Sequence, residues 1–181
     1  FFSHVIHTGS YQIACQYWHA NARRSRDAGI PSVEKCMGCH KIVAAQGNEQ
    51  VQKLHGFWEK QQPIPWIRVF RIPEYAQFPH KNHVQAGLVC QTCHGRIEAM
   101  EQVHAKTGQN IGNDLMNLAA MPVPGPKLTM GWCVECHRTV NERGVQAVQP
   151  TPDAWGAAPR PAGADDKKPR NAPLECVACH H

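Results

Sequence analysis

Apolar positions recur at helical spacing in only a few places along this chain. The clearest follows Asn48, where Val51, Leu54 and Trp58 lie on one side of a predicted helix. Asn48 is a favourable N-cap for that helix, since its side chain can accept from a free backbone N–H. The proline-bounded segment 63–73 predicts a short extended connector. Because periodicity is weak elsewhere, we expect a mostly irregular fold with short α-helices and little β-structure.

Strongly core-forming residues are scarce. Only 34 of the 181 residues are Leu, Ile, Val or Phe, whereas the chain contains 9 Cys and 12 His. A chain of this length normally buries about 70% of the surface that it exposes when unfolded. We therefore expect metals or large apolar cofactors to complete the interior. The net charge of +5 is spread along the chain, so nucleic acid is not an expected partner.

Eight of the nine cysteines lie in four copies of the pattern C-x-x-C-H, which is typical of covalent haem c attachment. The two thiols add to the haem vinyl groups, and the next His lies under the iron as its proximal ligand. Zinc sites or a disulfide framework are the alternatives, but neither needs a His after every second Cys. The attachment residues are Cys36, Cys39 and His40; Cys90, Cys93 and His94; Cys133, Cys136 and His137; and Cys176, Cys179 and His180.

The ninth cysteine lies in a variant of the same pattern. Cys15 and His19 have the spacing of the other sites, but Trp18 stands where the second Cys would be. We expect a fifth haem c here, held by a single thioether at Cys15 with His19 as proximal ligand. The alternative is a free buried thiol beside an unrelated surface His. Numbered along the chain, this is the first of five attachment sites.

A repeated pattern supplies candidates for the opposite axial ligands. F-S-H-x-x-H precedes the first site, and F-P-H-x-x-H precedes the third. Two His three residues apart share one helical face, yet they can diverge to different irons. Each could instead be an ordinary exposed His. The predicted distal ligands are His4, His7, His80 and His83, with the irons of His7 and His83 left open.

These residues leave one iron without a sixth ligand. Met130 and Met100 are the thioether candidates, and a Met ligand would raise that haem's potential relative to a bis-His neighbour. The alternative is that both Met side chains only pack on porphyrin. The other spare candidates are His55, His104 and His181.

The predicted organisation has four parts. Residues 1–62 form a first module with two haems, and residues 63–148 form a second module with two more. Residues 149–173 are a Pro- and Ala-rich extended linker, and residues 174–181 hold the terminal attachment site.

Several longer motifs resemble the pentahaem cytochrome c subunit of bacterial alternative complex III, a quinol:electron acceptor oxidoreductase. The resemblance covers residues 1 to about 138, although Trp18 departs from the family's usual Cys and the tail matches only in outline. It implies a fold of class III-like haem modules. The motifs are F-S-H-x-x-H, A-G-I-P-x-x-x-x-C-M-G-C-H, P-I-P-W-I-R-V, F-P-H-x-x-H, C-H-G-R-I-E-x-M and L-T-M-G-W-C-V-E-C-H-R.

The resemblance implies an electron-transfer wire without an active site of its own. It would lie on the periplasmic side of the bacterial inner membrane, among iron–sulfur and membrane subunits. Electrons would pass from the iron–sulfur subunit towards a monohaem cytochrome or a soluble acceptor.

The family's N-terminal membrane anchor is not present in this sequence, so we expect either an anchor ahead of Phe1 or attachment through partners. The alternatives are a free periplasmic multihaem shuttle and, less favoured, a multihaem reductase. A reductase needs an open iron with acid and base groups around it, and the sequence shows no such motif.

Overall fold

Short helices joined by irregular segments make up most of the structure, a computed structural model that describes residues 2–42, 45–103, 128–150 and 170–180. Within these ranges the only β-pairing is an isolated bridge between Ala76 and His180. The expected fold of short helices with little β-structure is thus confirmed. The elements are a π-helix Val5–Ser10; α-helices α1 Cys15–Trp18, α2 Val33–His40, α3 Glu49–Glu59, α4 His80–Gln85, α5 Gln91–His94 and α6 Met130–Arg143; and 3₁₀-helices Ile97–Ala99, Val145–Val148 and Cys176–Ala178.

Side-chain caps fix where the longer helices begin. The Asn48 side chain accepts from the Gln50 backbone N–H at 2.8 Å, which confirms the predicted start of α3. Val51 is buried on the apolar side of that helix. Ser32 caps α2 in the same way, accepting from the Lys35 N–H at 3.3 Å. Helix α2 ends at His40 of the second C-x-x-C-H site, and α3 packs against α2.

Helix α6 carries the fourth site and fixes the segment before the fifth. The helix ends at Arg143 and is capped by Gly144, whose φ of +81° is readily adopted only by glycine. The chain then turns into the 3₁₀-helix Val145–Val148. Asn141 holds residue 172 by two hydrogen bonds, from the Asn141 side-chain NH₂ to the Ala172 carbonyl (2.9 Å) and from the Ala172 N–H to the Asn141 side-chain oxygen (2.6 Å). These contacts bring the C-terminal segment back onto α6.

Protein side chains alone fill very little of the interior. In the described ranges Val145 is the only large side chain with no exposed surface, while Ile42 is 80% exposed and Ile67 is 86% exposed. This agrees with an interior that needs cofactors. The buried apolar residues are Trp18, Ala22, Cys36, Met37, Val51, Met100, Val140 and Val145.

The segment 63–73 forms neither helix nor strand, as expected for a connector. The predicted linker 149–173 lies mostly outside the described residues, and the module boundaries stay predictions. Among the helices of the described part, none has the length and apolar character that crossing a membrane requires.

The π-helix packs closely on the 3₁₀-helix Ile97–Ala99. A Cβ added at Gly9 would lie 2.6 Å from the Glu98 carbonyl oxygen, which is a steric clash. We expect Gly9→Ala to lower the free energy of unfolding of the haem-loaded protein by about 1–3 kcal/mol. Gly56→Ala is the matched control, because a Cβ at Gly56 inside α3 meets nothing within 4 Å.

Gly56→Ala should stabilise the protein by about 0.5–1 kcal/mol through its better helix propensity. Denaturant titration followed by circular dichroism measures both variants. Equal stability of the two would contradict the close packing at Gly9.

Candidate haem sites

Three pairs of predicted proximal and distal His face each other across gaps of similar size. Two imidazoles bound to opposite sides of one metal, with metal–nitrogen bonds of about 2 Å, have ring centroids about 6 Å apart. Each observed pair is therefore spaced to hold one iron. The centroid distances are 5.9 Å for His7 and His40, 6.3 Å for His80 and His94, and 6.0 Å for His83 and His137.

His4 and His19 form a fourth group beside these pairs. The pKa of His4 is lowered to about 4, chiefly by burial and to a smaller extent by the charges of His19 and His7. Burial likewise lowers the pKa of His94 to about 4, with contributions from His80 and His19. Both rings are therefore neutral near pH 7, which is the form of imidazole that coordinates a metal. His19 thus lies near both His4 and the third site.

Five of these imidazoles are oriented by the same hydrogen bond. Each donates its Nδ1–H to a backbone carbonyl, which leaves Nε2 free for a metal. The bonds are His7 to Ser3 (2.8 Å), His19 to Gly29 (2.7 Å), His80 to Arg26 (2.8 Å), His83 to Pro79 (3.0 Å) and His137 to Pro173 (2.6 Å).

His55, a spare candidate for the sixth ligand, differs in this respect. Its Nε2 bonds the His40 carbonyl at 3.0 Å, so the nitrogen that the other His residues keep free is occupied. The geometry fits a supporting contact at the end of α2 better than a place on an iron.

The two F-x-H-x-x-H segments have the same local geometry. Phe2 stacks on His7 at 4.2 Å and meets His4 edge-on at 4.9 Å. Phe78 stacks on His83 at 4.1 Å and meets His80 edge-on at 5.0 Å. The π-helix presents the first pair and α4 presents the second. In both copies a single Phe therefore separates two imidazoles that belong to different pairs.

Thiol contacts bring the first and third sites together. The thiol of Cys15 lies beside that of Cys90, and this contact is the main cause that lowers the pKa of Cys15 to about 7. The same contact, followed by burial, raises the pKa of Cys90. All nine cysteines lie in the described ranges as free thiols, so each is available for a thioether.

Neighbouring cysteines also link the third site to the fourth and the fourth site to the fifth. The pKa of Cys93 is raised to about 12, chiefly by burial and to a smaller extent by the charges of Cys136 and Cys133. Burial also raises the pKa of Cys133, and there the next cause is Cys179 of the fifth site. In the described part of the chain, no group of three or more His, Cys, Asp or Glu converges on one point.

The fifth site is attached to the segment that precedes the second F-x-H-x-x-H motif. The Gln77 N–H donates to the Cys179 carbonyl at 2.8 Å, next to the bridge between Ala76 and His180. The Tyr75 ring lies 5.7 Å from that of His180. Sequence reasoning missed Tyr75, although its position three residues before the F-x-H-x-x-H motif was a usable signal.

The two Met candidates for the sixth ligand lie in different surroundings. Met130 opens α6, one turn before Cys133, and is 70% exposed. Met100 is 6% exposed and follows the 3₁₀-helix that packs on the π-helix. The other candidates, His104 and His181, lie outside the described residues.

The aromatic residues of the connector also reach these sites. Phe70 meets His94 edge-on at 4.4 Å, and Trp66 lies 6.4 Å from Phe2. The connector thus runs from the first F-x-H-x-x-H motif to the third site. Phe70 thus contacts an imidazole directly, whereas Trp66 contacts only Phe2.

The residues present fit haem c: imidazoles face each other at the spacing for one iron, free thiols precede them, and protein side chains fill little of the interior. The sequence profile of the family described as Cytochrome c7 and related cytochrome c matches residues 76–181, more than half of the chain. No curated protein matches this chain. The chain therefore belongs to the cytochrome c7 and related cytochrome c family and is a multihaem c-type cytochrome that transfers electrons.

Proposed function

We propose that this chain holds five haem c groups and serves as the electron-transfer wire of a quinol-oxidising membrane complex of the alternative complex III type. The observation that carries this proposal is the set of His pairs spaced for one iron each. When bound, haem c supplies an iron that gains and loses one electron at a time. The protein's part is to fix the ligands, their order and their surroundings.

Neighbouring sites are joined either by a turn that carries one His for each site or by a contact between their cysteines. These links give the order of the sites along a row. His7 and His4 extend from one turn to the second and first sites. The contact of Cys15 with Cys90 joins the first site to the third. The order therefore begins second, first, third.

The remaining sites extend the same row. His80 and His83 lie on α4 and face the proximal His of the third and fourth sites. Cys133 and Cys179 then join the fourth site to the fifth. We propose that electrons enter or leave at the second and fifth sites, because these are the two ends of the row.

A His on each side of the iron favours electron transfer over substrate turnover. At four sites, imidazoles are available for both axial positions, so no coordination position is left for a substrate. Rigid ligation of this kind also keeps the reorganisation on electron gain small, because neither ligand has to move.

We assign Met130 as the sixth ligand of the fifth site. Met130 and Cys133 are three residues apart on α6, so they share a face of that helix. Cys133 in turn lies near Cys179 of the fifth site. Met100 instead lies beside the π-helix, next to the first two sites, whose axial positions His residues already supply.

The proposed partners follow from the resemblance of both modules to the alternative complex III subunit. An iron–sulfur subunit would be the donor, and a monohaem cytochrome or soluble carrier would be the acceptor. The complex would hold the chain on the periplasmic side of the inner membrane, through membrane subunits or an anchor.

A pair of His variants tests the axial assignments. His7→Ala should convert one haem from low spin to high spin, because it removes a ligand from the second site. His55→Ala is the control and should leave all haems low spin, since the Nε2 of His55 bonds the His40 carbonyl instead. Electron paramagnetic resonance of the oxidised proteins measures both. A high-spin signal in His55→Ala alone would reverse the assignment.

The two Met residues are separated by a second comparison. Met130→Leu should give one high-spin haem and lower the highest midpoint potential, because a thioether ligand raises potential relative to imidazole. Met100→Leu should keep five low-spin haems. Potentiometric titration with spectroscopic detection reads both variants, and high spin in Met100→Leu with none in Met130→Leu would refute the choice of Met130.

The function itself is tested by purification from native membranes in mild detergent. We expect the chain to co-elute with iron–sulfur and membrane subunits, and added quinol to reduce its haems. Stripping the iron–sulfur subunit should abolish this reduction while the haem spectrum is unchanged. Recovery as a free soluble monomer that quinol-oxidising membranes do not bind would favour the periplasmic shuttle instead.

A further inference from the structure

Trp18 is the residue whose position the electron-transfer role leaves unexplained. It occupies the place of the second attachment cysteine, yet it is only 8% exposed and so belongs to the small buried core. Its indole Nε1–H is buried and has no hydrogen-bond acceptor within the described part of the chain. A buried donor left without a partner costs about 1–3 kcal/mol, so an acceptor is expected at this point.

The ring contacts of Trp18 place it between two sites. It belongs to α1, which carries Cys15 and leads directly to His19. Its ring meets that of His7 edge-on at 5.7 Å and that of Phe2 at 5.5 Å. His7 faces His40 of the second site. Trp18 therefore touches the attachment segment of the first site and an axial ligand of the second.

The chemistry of a single thioether explains what such a residue would do. The Cys15 thiol adds across one vinyl group: a C–S bond forms, the S–H bond breaks, and its hydrogen goes to the neighbouring vinyl carbon. No oxidant is consumed. The second vinyl group stays unreacted, since no thiol stands at Trp18. That edge of the haem needs apolar cover, and an indole ring supplies it.

The same haem chemistry identifies the missing acceptor. Apart from the nitrogens bound to iron, the hydrogen-bonding groups of haem c are its two propionate carboxylates. A charge-assisted bond from an indole N–H to a carboxylate would satisfy the buried donor.

We propose that Trp18 is a positioning residue that replaces the second thioether: its ring covers the unreacted vinyl group at the first site, and its Nε1–H donates to a haem propionate. This inference rests on the proposed attachment of haem at Cys15. It makes the first two sites one unit, since the residue that holds one haem also contacts a ligand of the other.

Three substitutions separate the parts of this proposal. Trp18→Phe keeps a ring but removes the donor, and it should shift the midpoint potential of one haem while the other four keep theirs. Trp18→Leu removes the aromatic ring as well, and it should increase the unfolding equilibrium constant about tenfold. Trp18→Cys supplies the second thiol, and it should move the pyridine haemochrome band of the first haem to the position of a haem with two thioethers.

Trp66→Phe is the matched control. Trp66 belongs to the same aromatic group through Phe2, but it is 36% exposed. It should leave the potentials, the stability and the haemochrome band unchanged. Repeating Trp18→Phe in a Cys15→Ala background identifies the carboxylate: a shift that persists assigns it to the second site, and one that disappears assigns it to the first.

Intact mass of each variant keeps this test separate from the haem count. Four haems in the wild-type chain would contradict the proposed attachment at Cys15. Five haems, with unchanged potentials in Trp18→Phe and wild-type stability in Trp18→Leu, would overturn the role of Trp18 and leave the electron-transfer proposal intact.

Discussion

The structure depends on holding two imidazoles about 6 Å apart, which is the spacing that one iron between them requires. No single short segment supplies both imidazoles of a pair, because the two ligands lie on different elements of the chain. Bonds from Nδ1–H to a backbone carbonyl fix five of these rings one by one. The bonds of His7 and His83 are local, but His137 is held by the carbonyl of Pro173, 36 residues away, and His80 by that of Arg26, 54 residues away. Two of the three pairs are thus held in part by a long-range backbone contact.

This requirement explains why so little regular structure is enough. The helices that matter are short because each carries one or two ligands, and a single turn suffices to set their spacing. With few buried apolar side chains, protein packing contributes only part of the stability. The rest would come from the covalently attached haems, because their burial and their bonds to distant His residues form only when the chain folds. The maturation of the protein and its folding are therefore coupled.

The sequence indicates the candidate site residues more readily than it indicates their pairing or the course of the chain between them. The attachment residues follow from a local motif, and the start of α3 follows from Asn48 and the apolar positions after it. The partners of His7 and His83 could not be predicted, because two His on one turn can reach different irons. Only the approach of α2 and α6 decides between them. The contact of Tyr75 with His180 was missed for the same reason, since it joins segments far apart in sequence.

The shared turns also have a consequence for electron flow. Where His4 and His7 lie on one turn, the distance between the two irons that they would hold would be set by a covalent segment of four residues. The same holds for His80 and His83. Between these two units the connections are non-covalent: a contact of Cys15 with Cys90, the bonds of Arg26 to His80 across 54 residues, and the packing of the π-helix on the 3₁₀-helix Ile97–Ala99. The step from the first site to the third therefore depends on tertiary packing, whereas the step within each unit depends on a shared turn.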